Sequence, residues 1–309
     1  MPLAGALPVS APPDWAFVIN PPAGAGVSAE APDDSPRHVP GSSQSFTVAQ
    51  TRNRFSAPDW HPQAHPSMPA IVATGRAPDV YACGFCHLPN GQGRPENSRL
   101  AGLPFDYIVA QMADFKSGRR KSSAPDHVPS SLMVALASKV SDAEIRLAAR
   151  YFSSLAPPRW IRVVESDSVP VTRVGAFMLV PESGNRQEPI GSRIIELAES
   201  IERTELRDDK SGFIVYVPVG SIARGRELVT TGDNGKTLAC ATCHGPDLRG
   251  LANVPSIAGR SPSYIVRQLF DLQSGNRAGQ FSGLMRPVVK NLRPDDLVAI
   301  AAYAASLSP

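Results

Sequence analysis

Two short cysteine motifs constrain the fold of this chain more than any other feature of its 309 residues. Residues 83–87 read CGFCH and residues 240–244 read CATCH, so each motif is C-x-x-C-H. Two thiols at this spacing can each bond one vinyl group of the same porphyrin, and the histidine that follows can reach the iron. The motifs therefore predict two covalently bound haem c groups, with the two histidines as iron ligands. The residues predicted to hold them are Cys83, Cys86, His87, Cys240, Cys243 and His244.

The cysteine count supports this interpretation over its alternatives. All four cysteines lie within the two motifs, so no thiol is left for a disulfide once both haems are attached. A Cys2His2 zinc site or a chance occurrence is the alternative, and finding the full motif twice disfavours it. Haem attachment of this kind takes place on the periplasmic side in bacteria, so we expect an exported, periplasmic protein.

Charge and hydropathy narrow the functional classes further. The first residues, MPLAGAL, have no basic region and no sustained apolar stretch. They do not form a signal peptide, and we expect that a leader has been removed. No run of about 18 apolar residues is present, which predicts that nothing in this sequence spans a membrane. A net charge of +3 gives no reason to expect nucleic acid binding.

An internal repeat surrounds the two motifs. Cys240 follows Cys83 by 157 residues, and the same offset aligns YIV at residues 107–109 with YIV at residues 264–266. Further along, the offset becomes 152, which aligns LM at 132–133 with LM at 284–285. An insertion of five residues between residues 121 and 130 accounts for the change. The sequence therefore predicts a duplicated haem domain.

The repeat divides the chain into four predicted segments. Residues 1–68 are rich in proline and poor in apolar periodicity, which predicts an extended arm. Apolar residues at 15–19 and the pair Asp59-Trp60 indicate that the arm wraps over the folded part, although an unattached tail fits the composition equally well. Residues 69–157 and 222–309 are the predicted haem domains. Residues 158–221 are too long for a simple linker and include apolar runs typical of strands, at 160–164, 175–180 and 213–217.

The predicted fold is therefore mainly α, with two tandem domains, a proline-rich N-terminal arm and a small β-containing insert. A short helix is expected before each motif, ending near Gly75 or Gly232. Apolar residues at helical spacing predict helices over residues 104–116 and 262–273, and final helices over 141–155 and 294–307. Residues 194–201 fit either a strand or a helix.

Met133 and Met285 are the predicted sixth ligands of the two irons. They occupy matching positions of the repeat, within segments that read as polar loops. A thioether donor stabilises ferrous iron and raises the reduction potential, which suits an electron carrier. His127 in the insertion, and His61 or His65 in the arm, are the alternatives for the first haem. No histidine follows the second motif, so a second histidine ligand is not available there locally.

The two halves resemble the dihaem cytochromes c of the cytochrome c4 type, in which each half has the class I cytochrome c fold. The resemblance covers residues 69–155 and 222–309. It rests on both C-x-x-C-H motifs, on PSIAG at 255–259, on YIVRQL at 264–269 and on the Met285 segment with its final helix. It implies that the carbonyl of Pro255 accepts a hydrogen bond from the haem-ligating histidine. Ser98 occupies the matching position of the first copy, so the orientation of His87 is expected to be less fixed and its haem to be the unusual one.

The predicted function is the transfer of single electrons between periplasmic redox proteins, such as a dehydrogenase, an oxidase or a reductase. The alternative is a cytochrome subunit that stays bound to a periplasmic dehydrogenase. A dihaem peroxidase would need an open position at one iron, which the paired methionines disfavour. A haem enzyme with a cysteine axial ligand, as in one type of thiosulfate dehydrogenase, would need a fifth cysteine. The chain is therefore predicted not to be an enzyme.

Overall fold

The computed structural model describes residues 11–21 and 34–309, so predictions for the rest of the arm lie outside the described residues. Within the described part of the arm, helix α1 (Val48–Thr51) begins at a capping box formed by Thr47 and Gln50. Two aromatic residues of the arm, Phe17 and Trp60, are buried. The indole N–H of Trp60 donates to the carbonyl of Leu206 at 2.8 Å, so this part of the arm lies against the region after the first copy.

The first copy of the repeat is helical. Its elements are α2 (Ala70–Ala73), α3 (Cys83–His87), α4 (Phe105–Lys116), α5 (Val128–Lys139) and α6 (Asp142–Ser154). The predicted helices over residues 104–116 and 141–155 are present as α4 and α6. Helix α6 begins at a capping box in which Ser141 accepts from the amide of Glu144. The core of this copy lies between α2, α4 and α6, around Ile108, Ile145 and Phe152.

The segment between the copies contains seven short strands and one helix. They are β1 (Ile161–Glu165), β2 (Ser168–Pro170), β3 (Thr172–Gly175), β4 (Met178–Pro181), β5 (Gln187–Pro189), β6 (Ile195–Ala198), α7 (Ile201–Glu205) and β7 (Phe213–Val217). Strand β7 is central, parallel to β1 with Ile161 opposite Phe213 and antiparallel to β6. Strands β2 and β5 pair with each other, as do β3 and β4. The ambiguous run at 194–201 therefore contains a strand.

One strand prediction is wrong in its extent. The apolar run at 175–180 was expected to be a single strand, but it is the turn and second strand of the β3–β4 hairpin, with Gly175 opposite Met178. The intervening residues Ala176 and Phe177 have φ values of 50° and 68°. Two consecutive residues in the left-handed region reverse the chain in a two-residue hairpin loop. Because both side chains are apolar, the sequence reads as a continuous strand and does not indicate the turn.

The second copy repeats the helical plan of the first. Its elements are α8 (Ser221–Thr231), α9 (Ala241–His244), α10 (Pro262–Gln273), α11 (Ser282–Val289) and α12 (Pro294–Ser306). Helix α8 crosses α12 closely because Gly225 has no side chain. A Cβ atom at that position would overlap the carbonyl oxygen of Ala299. The predicted helices at 262–273 and 294–307 are present as α10 and α12.

The sheet of the insert shares a core with the second copy. Phe213, Val215 and Val217 of β7 are buried in the same cluster as Leu297 and Ile300 of α12. The first copy has a core of its own. None of the helices in the described residues is long and apolar enough to cross a membrane. The division of the chain at residues 68, 157 and 221 stays a prediction.

Candidate haem sites

The first motif occupies helix α3, which presents its histidine with one nitrogen already engaged. Cys83 and Cys86 are free thiols, and burial raises the pKa of Cys83 to about 12. The Nδ1 atom of His87 donates to the carbonyl of Ser98 at 2.8 Å. Burial holds the pKa of His87 below its ordinary value, so the ring is neutral. The Nε2 lone pair is therefore the one available to a metal.

The second motif has the same arrangement. Cys240 precedes the short helix α9, and Nδ1 of His244 donates to the carbonyl of Pro255 at 2.8 Å. Burial also lowers the pKa of His244. We expected Ser98 to leave the ring of His87 less well oriented than that of His244. For this hydrogen bond the expectation is wrong, because the bond from His87 and the bond from His244 have the same length. The acceptor is a backbone carbonyl in each case, and serine and proline both have one.

A cavity opens beside His87, and both copies of the repeat line it. Met133 lines this cavity, as does a second methionine, Met112. The second copy contributes Tyr264, Arg267, Gln268 and Asp271. The cavity beside His87 is thus completed by residues of the second copy.

The alternative histidines do not line this cavity. The ring of His127 packs edge-on against Phe17, and its Nδ1 atom pairs with the hydroxyl of Ser130 at 2.8 Å. His65 bonds the carboxylate of Asp59 at 3.1 Å. His61 points toward carboxylates of the insert. Among the candidates for the sixth position of the first haem, the structure brings only Met133 to the cavity.

The predicted loops around the two methionines are helices. Met133 lies in α5 and Met285 in α11. Residues 132–137 read LMVALA, and leucine, methionine and alanine are strong helix formers, while Pro129 suits the first turn. The serines at the start of the segment concealed this helix in the sequence. Met285 is partly buried and packs against the core of the second copy.

The two copies meet through a symmetric polar network. It contains a tyrosine, a glutamine and an arginine at matching positions of the repeat. They are Tyr107, Gln111 and Arg120 in the first copy and Tyr264, Gln268 and Arg277 in the second. Each arginine donates to the glutamine of its own copy and to the tyrosine and the glutamine of the other, at 2.8 to 3.3 Å. This exchange relates the copies by an approximate twofold axis.

Two further arginines at this interface are deeply buried and incompletely paired. Arg99 donates to the carbonyl of Gly259 and Arg260 donates to the carbonyl of Arg99, so each reaches the other copy. Within the described residues neither guanidinium donates to a carboxylate, and Arg99 Nε and Arg260 Nη2 have no hydrogen-bond partner. Burial lowers the pKa of both guanidinium groups.

Positive charges at this interface also act on a neighbouring phenol. Burial acts to raise the pKa of Tyr264, but Arg120, Arg260 and Arg277 outweigh it and lower that pKa to about 7. A buried interface with excess positive charge and orphaned donors is suited to an anionic group.

The two motifs differ in how much of their surroundings is covered. Arg207 of the insert donates to the carbonyl of Phe85 at 2.8 Å and lies over its ring at 3.6 Å. Arg94, which follows the first motif, is buried and donates to the carbonyl of Thr204. The matching residue of the second copy is Leu251, which is 63% exposed. The insert therefore covers the first motif and leaves the second open.

Comparison with known proteins decides the family. No protein-family model matches the sequence. The cytochrome c4 of Azotobacter vinelandii is 35% identical over 250 residues, which cover 79% of this chain and 91% of that protein. The chain belongs to the cytochrome c4 family. As a cytochrome c4 it transfers electrons and carries two covalently bound haem c groups.

Two other similarities concern thiosulfate oxidation. The thiosulfate dehydrogenase electron acceptor of Thiomonas intermedia is 27% identical over 239 residues, covering 75% of this cytochrome c4 and 82% of that protein. A solved structure of a thiosulfate dehydrogenase from Marichromatium purpuratum matches with a TM-score of 0.52 and 26% identity. That match covers 76% of this chain and 38% of the other, so this chain spans well under half the length of that one.

The residues present fit the two haem groups. Each C-x-x-C-H motif offers two free thiols and a neutral histidine whose Nδ1 is engaged. Arg99 and Arg260 do not line the cavity beside His87, but their orphaned donors lie at the same interface and suit anionic groups such as the propionates that a haem carries. Sequence reasoning missed both arginines because neither stands in a recognisable motif. Their only sequence signal is their place beside Ala101-Gly102 and Ala258-Gly259 of the repeat.

Proposed function

We propose that this cytochrome c4 is a periplasmic electron acceptor of a thiosulfate-oxidising dehydrogenase. The observation that carries the proposal is the likeness to a named thiosulfate dehydrogenase electron acceptor over 82% of that protein's length. The likeness to a solved thiosulfate dehydrogenase supports it. The chain would pass the electrons on to a further redox protein.

In this proposal each half of the chain holds one haem. Cys83 and Cys86, and Cys240 and Cys243, form the thioether bonds. His87 and Met133 are the two iron ligands of the first haem, and His244 and Met285 are those of the second. The bound haem supplies a one-electron ferric–ferrous couple. The protein keeps both histidines neutral and fixes their rings through the carbonyls of Ser98 and Pro255.

The arginines at the interface have an electrostatic role in this proposal. Arg99 and Arg260 would be the residues that donate to propionates, because each has one buried nitrogen without a partner within the protein. Their positive charge, held where solvent screening is weak, favours the reduced form of a nearby iron centre. The interface would thereby keep both potentials high enough to accept electrons.

Partner docking is assigned to the second copy. Leu238 lies two residues before the second motif and Leu251 a few residues after it, and they are 60% and 63% exposed. Leu284, beside the proposed ligand Met285, is 75% exposed. Exposed apolar side chains around a redox centre favour brief contacts with a partner. The insert covers the corresponding surroundings of the first motif, so we place electron entry at the second haem.

The test is reduction of the oxidised holo-cytochrome by thiosulfate, followed at the haem absorption bands in a stopped-flow instrument. With a purified thiosulfate dehydrogenase present, both haems should become reduced within the turnover time of the enzyme. Thiosulfate alone should reduce them far more slowly, and ascorbate serves as the control that both haems are reducible. Ascorbate reduction without enzyme-dependent reduction would exclude this class of partner.

The alternative is a subunit that stays attached to its dehydrogenase. The match to part of a much longer thiosulfate dehydrogenase chain favours it, because a fused partner is a permanent one. Size-exclusion chromatography of the native protein separates the two cases. A shuttle should elute alone at the size of a 32.9 kDa chain, whereas a fixed subunit should elute with dehydrogenase activity.

A further inference from the structure

A buried cluster of one histidine and two carboxylates lies between the arm and the insert. His61 comes from the arm, and Asp208 and Asp209 come from the segment between α7 and β7. Their side chains are 3%, 0% and 2% exposed. The Nε2 atom of His61 is 3.2 Å from Oδ1 of Asp208 and 3.8 Å from Oδ1 of Asp209. None of the three residues lines the cavity beside His87.

The hydrogen bonds of the cluster leave one oxygen unsatisfied. Asp208 accepts from Nε of Arg203 at 2.7 Å, from the amide of Lys210 at 2.9 Å and, at Oδ1, from Nε2 of His61 at 3.2 Å. Oδ1 of Asp209 is fully buried and has no hydrogen-bond partner. Burial of a carboxylate oxygen without a donor is unfavourable, and here it raises the pKa of Asp209 to about 6. The unpaired oxygen faces His61.

The carboxylates around His61 also favour binding of a cation. Three carboxylates, Asp59, Asp208 and Asp209, lie around the two histidines His61 and His65. Arg203 is the one arginine paired with them in the described residues, and its side chain is 30% exposed. Arg203 pairs with Asp208 alone, so the buried carboxylate of Asp209 has no arginine or lysine partner in the described part of the chain.

The spacing of the donor atoms is that of a small tetrahedral metal site. Zinc binds imidazole nitrogen and carboxylate oxygen at about 2.0–2.2 Å, which places neighbouring donor atoms about 3.4 Å apart. The separations of 3.2 and 3.8 Å lie on either side of that value, and the three donor atoms are all within 4.8 Å of one another. We propose that His61, Asp208 and Asp209 bind a zinc ion.

The consequence would be a cross-link between the arm and the insert beside the first haem. The carbonyl of Asp209 accepts from the side chain of Asn90, three residues after the first motif. Trp60, next to His61, donates to the carbonyl of Leu206. Arg207, between these contacts, lies over Phe85 of the motif itself. Bound zinc would therefore hold the covering of the first haem in place.

The test uses the holo-cytochrome, whose covalently attached haems remain in place during treatment with a chelator. After removal of the chelator, zinc chloride is titrated in by isothermal calorimetry, and thermal unfolding is recorded with and without zinc. We expect about one zinc per chain in addition to the two irons, and a rise in melting temperature of several degrees. The variant Asp209→Asn should bind zinc at least about tenfold more weakly.

Two controls test whether zinc binds at this cluster and whether Asp209→Asn still folds. The variant His38→Gln removes an exposed histidine of the same arm and should bind zinc as the parent does. In chelator, Asp209→Asn should be at least as stable as the parent, because it removes a buried charge with no donor. Absence of zinc binding by the parent, or equal binding by Asp209→Asn, would overturn the proposal.

Discussion

His87 and His244 are oriented alike although their acceptor residues differ. The bond goes to a backbone carbonyl in both copies, at Ser98 and at Pro255. Every residue supplies such a carbonyl, so the side chain matters only through the conformation that it permits. The chain can therefore change this position without losing the neutral, fixed imidazole. This hydrogen bond therefore gives no reason for the two haems to differ in reduction potential, and a difference would have to arise from other residues around each haem.

The sixth ligand of the first haem can be tested with two methionines of the same cavity. Met133→Leu should abolish the methionine-to-iron charge-transfer band of the first haem and lower its reduction potential, because the thioether that stabilises ferrous iron is lost. Met112→Leu is the matched control, since Met112 lines the same cavity and is not a proposed ligand. Absorption spectra with a redox titration measure both effects. Equal behaviour of the two variants would remove Met133 from the ligand set.

The buried arginines make a second prediction for single residues. Arg99→Gln should lower the reduction potential of at least one haem by on the order of tens of millivolts, because a poorly screened positive charge is removed. Arg249→Gln makes the same charge change at an exposed position of the second copy and should have a much smaller effect. A redox titration of each variant compares them. A shift as large in Arg249→Gln would show that net charge alone sets the potentials.

Among the elements, those with long apolar periodicity could be predicted from the sequence. Helices α4, α6, α10 and α12 and strand β7 follow directly from their patterns. Helix α5 could not be predicted because serines and a proline fill its first turn, where they are compatible with a helix or a loop. The β3–β4 turn was missed for a related reason, since Ala176 and Phe177 are not turn formers by type.

The close contact between α8 and α12 gives a prediction for stability. Gly225→Ala should lower the free energy of unfolding by about 1–3 kcal/mol, because its Cβ would overlap the carbonyl of Ala299 and the helices must separate. Gly283→Ala, in α11, has open space around the new methyl group. It should raise stability by about 0.5–1 kcal/mol, since alanine favours a helix. Chemical denaturation of the holo-proteins measures both, and destabilisation by both substitutions would contradict this account.

Over the whole molecule, the two copies of the repeat differ in how far their C-x-x-C-H motifs are exposed to solvent. The network of Arg120 and Arg277 joins the copies almost evenly. The insert lies over one motif only, through Arg207 and through the segment that accepts from Asn90 and Arg94. These contacts join residues more than a hundred positions apart. Contacts of this kind depend on how the insert packs against the helices of the first copy, which the sequence does not indicate. The repeat therefore predicted two equal haem domains and did not indicate this asymmetry.

This asymmetry predicts where a redox partner acts. Leu251→Asp places a charge on an exposed apolar residue seven positions after the second motif, and it should slow reduction by the partner dehydrogenase by about tenfold. Leu147→Asp makes the same change on α6 of the first copy, where Leu147 is 48% exposed, and should leave the rate unchanged. Stopped-flow reduction by the dehydrogenase measures these rates, and ascorbate reduction shows whether either haem is damaged. If Leu147→Asp slowed the reaction and Leu251→Asp did not, electrons would enter through the first copy, and the face of α6 that carries Leu147 would be part of the docking surface.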